Sequence, residues 1–273
     1  MNDLAIGADG RLYAATGSRV HALDRVADSV AAPWSAPLPG EARAVAVAPD
    51  GRLAVLLGDG SVLLLAGDGE VARTLVPAGP PAGTPFDLVF RTFPDGTSDL
   101  LVSFSSGLIR RATWPEGAGS VFTDASSAMP EFRGLFALPD GRVLVASAAA
   151  QAILAFSASG AALGTWDRGN GLLLNAPHSL CEAGDGRTLL ATSSTSGSTV
   201  NGYSLATGYV ERTYRVYPAD APQATAIVVA PPSATDADGN LVPDECEAAQ
   251  GDLDGDGDVD ALDLAAVLAG WTS

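Results

Sequence analysis

One pattern recurs along most of this chain and limits what it can fold into. ALPDGRVLVAS, Ala137 to Ser147, carries an apolar strand ending at Leu138, a Pro139-Asp140-Gly141 turn, and a second strand through Arg142, Val143, Leu144 and Val145. The design returns as GADGRLYAA, APDGRLAVL, FPDGTSDLL and AGDGRTLLA, with the turn aspartates at 9, 50, 95, 140 and 185. The steps are 41, 45, 45 and 45 residues. A fixed period of that length with strand-turn-strand content is the signature of β-propeller blades. Asp-Gly suits the hairpin, because Gly takes positive φ without steric cost and Asp tolerates it.

Blade one spans about Asp3 to Pro39, blade two Ala42 to Pro77, blade three Pro85 to Thr123, blade four Glu131 to Trp166 and blade five Ala176 to Val216. Blade two shows the plan most plainly. Its four short runs RAVAVAP, RLAVLLG, SVLLLAG and EVARTLV are joined by Asp50-Gly51, Asp59-Gly60 and Asp68-Gly69. ATAIVVAPP, Ala224 to Pro232, reads as the first strand of a sixth blade, with no second strand behind it. The expected fold is all-β: a propeller of five blades plus one strand over residues 1–232, then a small calcium-loop and helix module over 233–273. Propellers usually close by completing the last blade with strands from the chain's beginning. Here Met1 precedes an inner strand, so the expectation is a truncated six-bladed ring whose missing strands, and any export signal, lie upstream. A five-bladed ring with a spare strand is the alternative.

PDGRVLVAS, APHSLCEAGDGRTLLATS and NGYSLATGYVERTY resemble NHL-type propellers and the related virginiamycin-lyase-like group, over residues 1–231. Such repeats host many functions, so the resemblance implies fold before chemistry.

Charge separates the chain into two parts. The net charge is −17, from 32 acids against 15 basic residues, all of them Arg. Residues 236–263 hold 11 of those acids and no Arg. Nucleic-acid binding needs a basic footprint, which is missing. A cation is the natural partner of the tail. MNDLAIGADG lacks the basic start and apolar core of a signal peptide, and no window reads as a membrane span. Two cysteines, Cys181 and Cys246, do not make a disulfide scaffold.

GDLDGDGDVDALDLAAVLAGW, Gly251 to Trp271, is the most specific motif. As a twelve-position loop it places Asp252 at 1, Asp254 at 3, Asp256 at 5, Gly257 at 6, Asp258 at 7, Asp260 at 9 and Asp263 at 12. That spacing wraps one continuous loop of oxygen ligands around Ca²⁺, with glycine at the sharp turn. So many carboxylates in one short loop repel each other unless a cation sits among them. A helix follows, capped by Asp260, with Leu264, Val267, Leu268 and Trp271 on one face. Upstream, DADGNLVPDECE repeats the register with Asp236, Asp238 and Asn240 at 1, 3 and 5, the Val242 carbonyl at 7, Asp244 at 9 and Glu247 at 12. There position 6 is Leu241 rather than Gly.

The second loop and its helix resemble a dockerin type I half-repeat. The first loop resembles thrombospondin type 3-like calcium repeats. The dockerin resemblance implies a cohesin-like partner and a place in polysaccharide degradation. Against it, the two loops start 16 residues apart, which leaves no room for an intervening helix, and Ala261 and Leu262 stand where dockerins often carry hydroxyl residues.

No catalytic set is legible. Aligning the blades on their turns puts Asn2, Arg43, Asp87, Arg133, His178 and either Gln223 or Thr225 at the starts of successive inner strands. The propeller resemblance turns that position toward the mouth of the central channel. Arg43, Arg133 and His178 could jointly hold an anionic or carbonyl-bearing ligand, or be solvated rim residues. The lyase-like resemblance implies a metal-assisted His/Glu pair, for which His178 and Glu182 are the candidates. Trp34, Trp114 and Trp166 lie near outer strands and read as packing residues.

The expectation is a secreted or cell-surface binding platform for a protein or glycan, with a Ca²⁺-dependent attachment module. A channel-mouth lyase or hydrolase, or a dockerin-bearing component of polysaccharide breakdown, is the rival.

Overall fold

A computed structural model describes residues 3–7, 9–24, 29–79, 83–126, 130–167, 174–193, 199–215, 226, 227 and 229. Among them, twenty strands form five four-stranded antiparallel sheets, each in sequence order. Blade one holds β1 (Asp3–Ile6), β2 (Leu12–Thr16), β3 (Arg19–Asp24) and β4 (Ser29–Pro33). Blade two holds β5 (Ala42–Val47), β6 (Leu53–Leu57), β7 (Val62–Leu65) and β8 (Val71–Val76). Blade three holds β9 (Pro85–Thr92), β10 (Ser98–Phe104), β11 (Leu108–Trp114) and β12 (Gly119–Asp124). Blade four holds β13 (Phe132–Ala137), β14 (Val143–Ser147), β15 (Ala152–Phe156) and β16 (Ala162–Thr165). Blade five holds β17 (Leu180–Glu182), β18 (Thr188–Ser193), β19 (Thr199–Ser204) and β20 (Val210–Arg215). The all-β, five-blade reading of the repeats is what the chain forms. The fourth strand of blade one ends before Trp34 rather than running around it.

The repeated turn works differently from a two-residue hairpin. Gly51 N–H donates to the Ala48 carbonyl at 2.8 Å, and Gly51 is left-handed at φ 84°. Among the described turns the aspartates are not left-handed. Their Oδ1 accepts the N–H two residues on, as Asp50 does from Arg52 and Asp140 from Arg142. Asp therefore locks the turn as an acceptor, and only Gly needs the left-handed conformation.

The second strands of blades two and four are apolar on both faces, because each face meets a different neighbour. In β6, Leu53, Val55 and Leu57 pack toward blade one, and Ala54 and Leu56 toward blade three. In β14, Val143 and Val145 pack toward blade three, and Leu144 and Ala146 toward blade five. The core is thus a series of four layers between successive blades, each pinned by an edge-to-face ring pair or tilted stack. These are Tyr13 with Trp34, Phe90 with Trp114, Phe132 with Phe156, and Trp166 with Tyr203. The three tryptophans pack.

One layer carries a buried ion pair. Arg91 is 2% and Asp99 1% exposed, and they meet in a bidentate contact at 2.8 and 2.6 Å. Arg91 Nη1 then crosses to blade four, donating to the Gly141 and Ala158 carbonyls at 2.8 and 3.1 Å. The guanidinium lies between the rings of Phe93 and Phe122. Asp99 also meets Arg111 at 2.7 Å, and partners on every side of Arg91 are the condition under which such a buried pair is tolerated.

The chain divides into a unit Met1–Val228 and a unit Val229–Ser273. The segments read as calcium loops and as a following helix, and Cys246, all lie outside the described residues, as do Asn2, Gln223 and Thr225. Ile227 is described, and its N–H donates to Ser179 Oγ at 3.3 Å.

Arg91→Leu leaves Asp99 and two blade-four carbonyls short of donors, and should cost about 3–5 kcal/mol. Denaturant unfolding followed by tryptophan fluorescence checks this. Replacing Arg91 and Asp99 together by Leu should cost less than the single change.

Candidate functional site

The first strand of every blade is a sheet edge, and its outer N–H groups need acceptors. Alternate blades supply them from side chains. Asp3 Oδ2 in β1 accepts the Val45 N–H of β5 at 2.9 Å. Asp87 Oδ2 in β9 accepts the Leu135 N–H of β13 at 2.7 Å, while its Oδ1 takes the Leu88 N–H. Ser179 accepts from Ile227 in the same way. Val45 and Leu135 each stand five residues before the turn Asp of their blade, so the first two bridges are one motif used twice. Ser103 Oγ extends it, accepting from Asp87 N–H and donating to the Arg133 carbonyl.

Two of these acceptors, Asp3 and Asp87, are half-buried carboxylates. Burial pushes Asp87 up to about 6, against the restraint of its two N–H donors. Asp3 is pushed well above the usual carboxylate range by burial and then by the nearby charge of Asp87. Two acids of one sign along the propeller axis therefore resist ionising together.

At the same end of the inner strands, three side chains meet. Arg133 sets its guanidinium over the Phe86 ring, 5.4 Å from the centroid. His178 meets the same ring edge-to-face at 5.7 Å. Glu131 fixes the arginine through Nη2 at 2.6 Å. Phe86, Arg133 and His178 come from blades three, four and five. Backbone irregularity delivers them. The ladders shift register between Val102 and Phe104 opposite Phe86 and Asp87, and between Phe132 and Leu135 around Arg133. Such bulges re-aim side chains. Glu131 and Ala176, each two residues ahead of a site residue, are left-handed at φ 49° and 45°. A non-glycine residue holds that conformation only where its surroundings impose it. Gly134 completes the approach: a Cβ there would lie 2.7 Å from the His178 carbonyl, so only glycine lets blade five come this close.

The structure thus brings two of the three predicted channel residues together and leaves the third apart. Arg43 sits on a bulge of its own in β5, paired with Glu41 at 2.9 Å, and its buried Nε has no hydrogen-bond partner. His178 and Glu182 are not a pair. Glu182 Oε1 accepts the Gly186 N–H at the blade-five turn, at the far end of β17, roughly 13 Å along an extended strand from His178. Among the described residues, no group of three His, Cys, Asp or Glu could hold a metal ion, and no helix is long and apolar enough to cross a membrane. Phe86 was missed because an apolar residue in a strand signals core. Its signal is its place beside Asp87, at the start of an inner strand.

No family model matches the sequence, and no curated protein matches it. Solved structures do resemble the fold. A virginiamycin B lyase from Staphylococcus aureus is similar with a TM-score of 0.60 at 15% identity, covering 84% of this chain and 74% of that one. The WD40 β-propeller domain of Doa1 gives 0.61 at 14%, covering 82% and 70%. A protein of unknown function from Bacteroides caccae gives 0.55 at 15%, covering 75% and 72%. At such identities the likeness is one of fold.

A folded-state pKa of about 6 for Asp87, above the ordinary 3.8, means that folding favours the protonated form. Its contribution to stability is whole below the ordinary value and is lost as pH rises through about 6. Asp87→Asn stays neutral, so it should flatten the pH dependence, but its single oxygen serves only one of the two N–H donors, so it should lower stability at acid pH by about 1 kcal/mol. Thermal midpoints measured across this pH range check it.

Proposed function

We propose that this protein is a binding platform that engages a carboxylate- or carbonyl-bearing protein or glycan at the end of the propeller axis. The observation that carries this reading is the convergence of Arg133 and His178 on Phe86 from three blades. A guanidinium, an imidazole and a ring on a rigid scaffold suit a planar anionic group: Arg supplies charge and fork geometry, and His a switchable donor. The left-handed residues ahead of both polar groups fit a site whose geometry is imposed in advance. Ligand engagement at this end would use residues the fold has already positioned, so little ordering cost opposes it.

The tail fits the same role as an attachment module. In this reading Asp252, Asp254, Asp256, Asp258, Asp260 and Asp263 hold one Ca²⁺, and Asp236, Asp238, Asn240, Val242 and Glu247 a second. An extracellular or cell-surface setting supplies Ca²⁺ enough to fill loops of even ~10⁻³ M affinity. Capture by a cohesin-like partner is the specific form that the dockerin likeness suggests.

A second reading has one observation behind it. Asp87, poised at about 6 one residue from Phe86, is suited to proton transfer near neutral pH. Together with His178 it would give a lyase or hydrolase general acid–base chemistry at the axis.

Screening the full chain against carboxylate-bearing peptides and acidic oligosaccharides tests the first reading. Arg133→Ala and His178→Ala should each weaken any ligand found by about tenfold or more, roughly 1.4 kcal/mol. Ligands bound equally by wild type and both variants would place binding elsewhere. Turnover of a bound ligand that vanishes in His178→Ala would favour the enzyme. For the tail, calorimetric titration of Ca²⁺ into the metal-stripped chain should give heat that Asp252→Ala/Asp263→Ala removes. Chelation should leave the propeller's unfolding midpoint in place.

A further inference from the structure

Two grooves between neighbouring blades share one build. They lie at the end of the blades that carries the Asp-Gly turns, opposite the starts of the inner strands. The first, of about 230 Å³, is lined by Tyr13 and Trp34 of blade one and by Arg52, Ala66 and Gly67 of blade two. The second, of about 240 Å³, is lined by Arg142 and Trp166 of blade four and by Ala206 and Thr207 of blade five. Trp34 and Trp166 hold equivalent positions, each the first residue after the fourth strand of its blade. Equivalent backbone bonds fix them. The Trp34 N–H donates to the Val20 carbonyl of β3 at 3.0 Å, and the Trp166 N–H to the Ile153 carbonyl of β15 at 2.8 Å. Each indole is half-buried and packs on the apolar layer between its two blades. Each also meets a tyrosine ring, Trp34 that of Tyr13 at 4.9 Å between centroids and Trp166 that of Tyr203 at 6.1 Å.

The polar groups of the two grooves are also of one kind. Arg52 and Arg142 each stand two residues after the turn aspartate of their blade and are balanced by it. Arg52 gives Nε and Nη2 to Asp50 Oδ2 at 2.8 and 2.6 Å, and Arg142 gives Nε to Asp140 Oδ2 at 2.7 Å. These pairings cancel the charge of each guanidinium and leave Nη1 of both without a partner among the described residues. Asp9, half-exposed, adds an acceptor to the first groove, and Thr165 and Thr207 add hydroxyls to the second. Grooves without net positive charge, in a chain of net charge −17, do not draw an anion. An aromatic wall with donors and acceptors at its rim calls for a ligand divided in the same way, with a flat apolar face and a polar edge. Both volumes lie below the roughly 300 Å³ at which drug-sized sites begin, which suits a single six-membered ring.

We propose that each groove seats one uncharged pyranose ring, a β-linked glucosyl residue of a neutral glycan, with its apolar face on the indole and its hydroxyls on the arginine. The ring substituents of such a residue are all equatorial, so both of its faces are C–H surfaces that can lie flat on an aromatic ring. The tryptophan supplies contact area, and the arginine with Asp9 or the threonine hydroxyls supplies orientation. Two grooves on one rigid scaffold let a single chain hold a glycan at two points, so that each contact can be weak on its own. The grooves lie at the other end of the blades from Phe86, Arg133 and His178 and do not rest on that site.

Tryptophan fluorescence of the full chain, titrated with methyl β-D-glucopyranoside and separately with methyl β-D-glucuronide, tests the proposal. The glucoside should change the emission saturably, and the glucuronide, which differs only in its carboxylate, should bind at least about tenfold more weakly. Gly67→Leu fills the first groove from a position where an added Cβ meets nothing within 4 Å and where no left-handed backbone forbids a side chain. Ala206→Leu fills the second from an exposed position. Each variant should keep the wild-type unfolding midpoint and lose part of the emission change. The double variant should bind the glucoside about tenfold more weakly or worse. Arg133→Ala should leave this binding intact. Absence of saturable glucoside binding, or binding unchanged in the double variant, overturns the grooves as sites. Loss of binding in Arg133→Ala moves it to the axis and overturns them equally. Equal binding of the two glycosides overturns the assignment to an uncharged ring.

Discussion

The first strand of each blade has a hydrogen-bonded neighbour on one side only, and the rest of the ring depends on how its open side is treated. An unpaired edge in a protein interior strands its N–H groups, and one left in water invites association. Here the acceptors come from the preceding blade. Asp3 reaches Val45, Asp87 reaches Leu135, and Ser179 reaches Ile227. Each bond ties two blades at their inner ends. Outward from the axis the hold passes to apolar layers and, between blades three and four, to the Arg91–Asp99 pair with its two carbonyl partners. The third bridge, from Ser179 to Ile227, sets Ile227 against blade five as Val45 lies against blade one. The described residues of ATAIVVAPP, 226, 227 and 229, form no strand.

Using carboxylates for this work has a chemical consequence. A hydroxyl such as that of Ser179 accepts an N–H at no electrostatic cost. Asp3 and Asp87 do the same while carrying ionisable groups into a half-buried place where two negative charges repel. The bridging role sets their position, and that position raises their pKa. The axis therefore holds acids whose pKa is raised, that of Asp87 to about 6, as a by-product of joining blades. That is also why a perturbed carboxylate in this fold is weaker evidence of catalysis than it would be in an isolated cleft.

Much of the fold is legible in the residues. The period of the Asp-Gly turns set the blade count, and runs such as RLAVLLG set the strands, since a strand with neighbours on both faces is apolar throughout. What stayed hidden was every feature made by distant residues. Arg91 and Asp99 look like ordinary exposed charges of a hairpin, and only the arrival of the Gly141 and Ala158 carbonyls makes their burial tolerable. The turn chemistry was half legible: glycine's φ was predictable, but the aspartate's work as an N–H acceptor shows only in the geometry. The position of Arg133 and His178 was readable from alignment of the repeats. Their meeting on Phe86 was not, because bulges are not written in residue types.

The site arises where the repeats stop being equivalent. Blades two and four both carry a Glu-x-Arg pair at the start of the inner strand, Glu41 with Arg43 and Glu131 with Arg133. Identical local chemistry has different outcomes. In blade four Glu131 is left-handed, and Gly134 follows Arg133, allowing blade five to close until the His178 carbonyl lies where a Cβ would be. In blade two Ala44 follows Arg43 in place of that glycine, and the arginine keeps to its own blade. On the other side, blade three contributes Phe86 from a β9 that is longer than the other inner strands, eight residues against six in β5 and β13. One missing methyl group and two extra residues thus convert a repeated rim position into a three-blade cluster. Regular repeats supply the scaffold, and departures from repetition supply the geometry of a site.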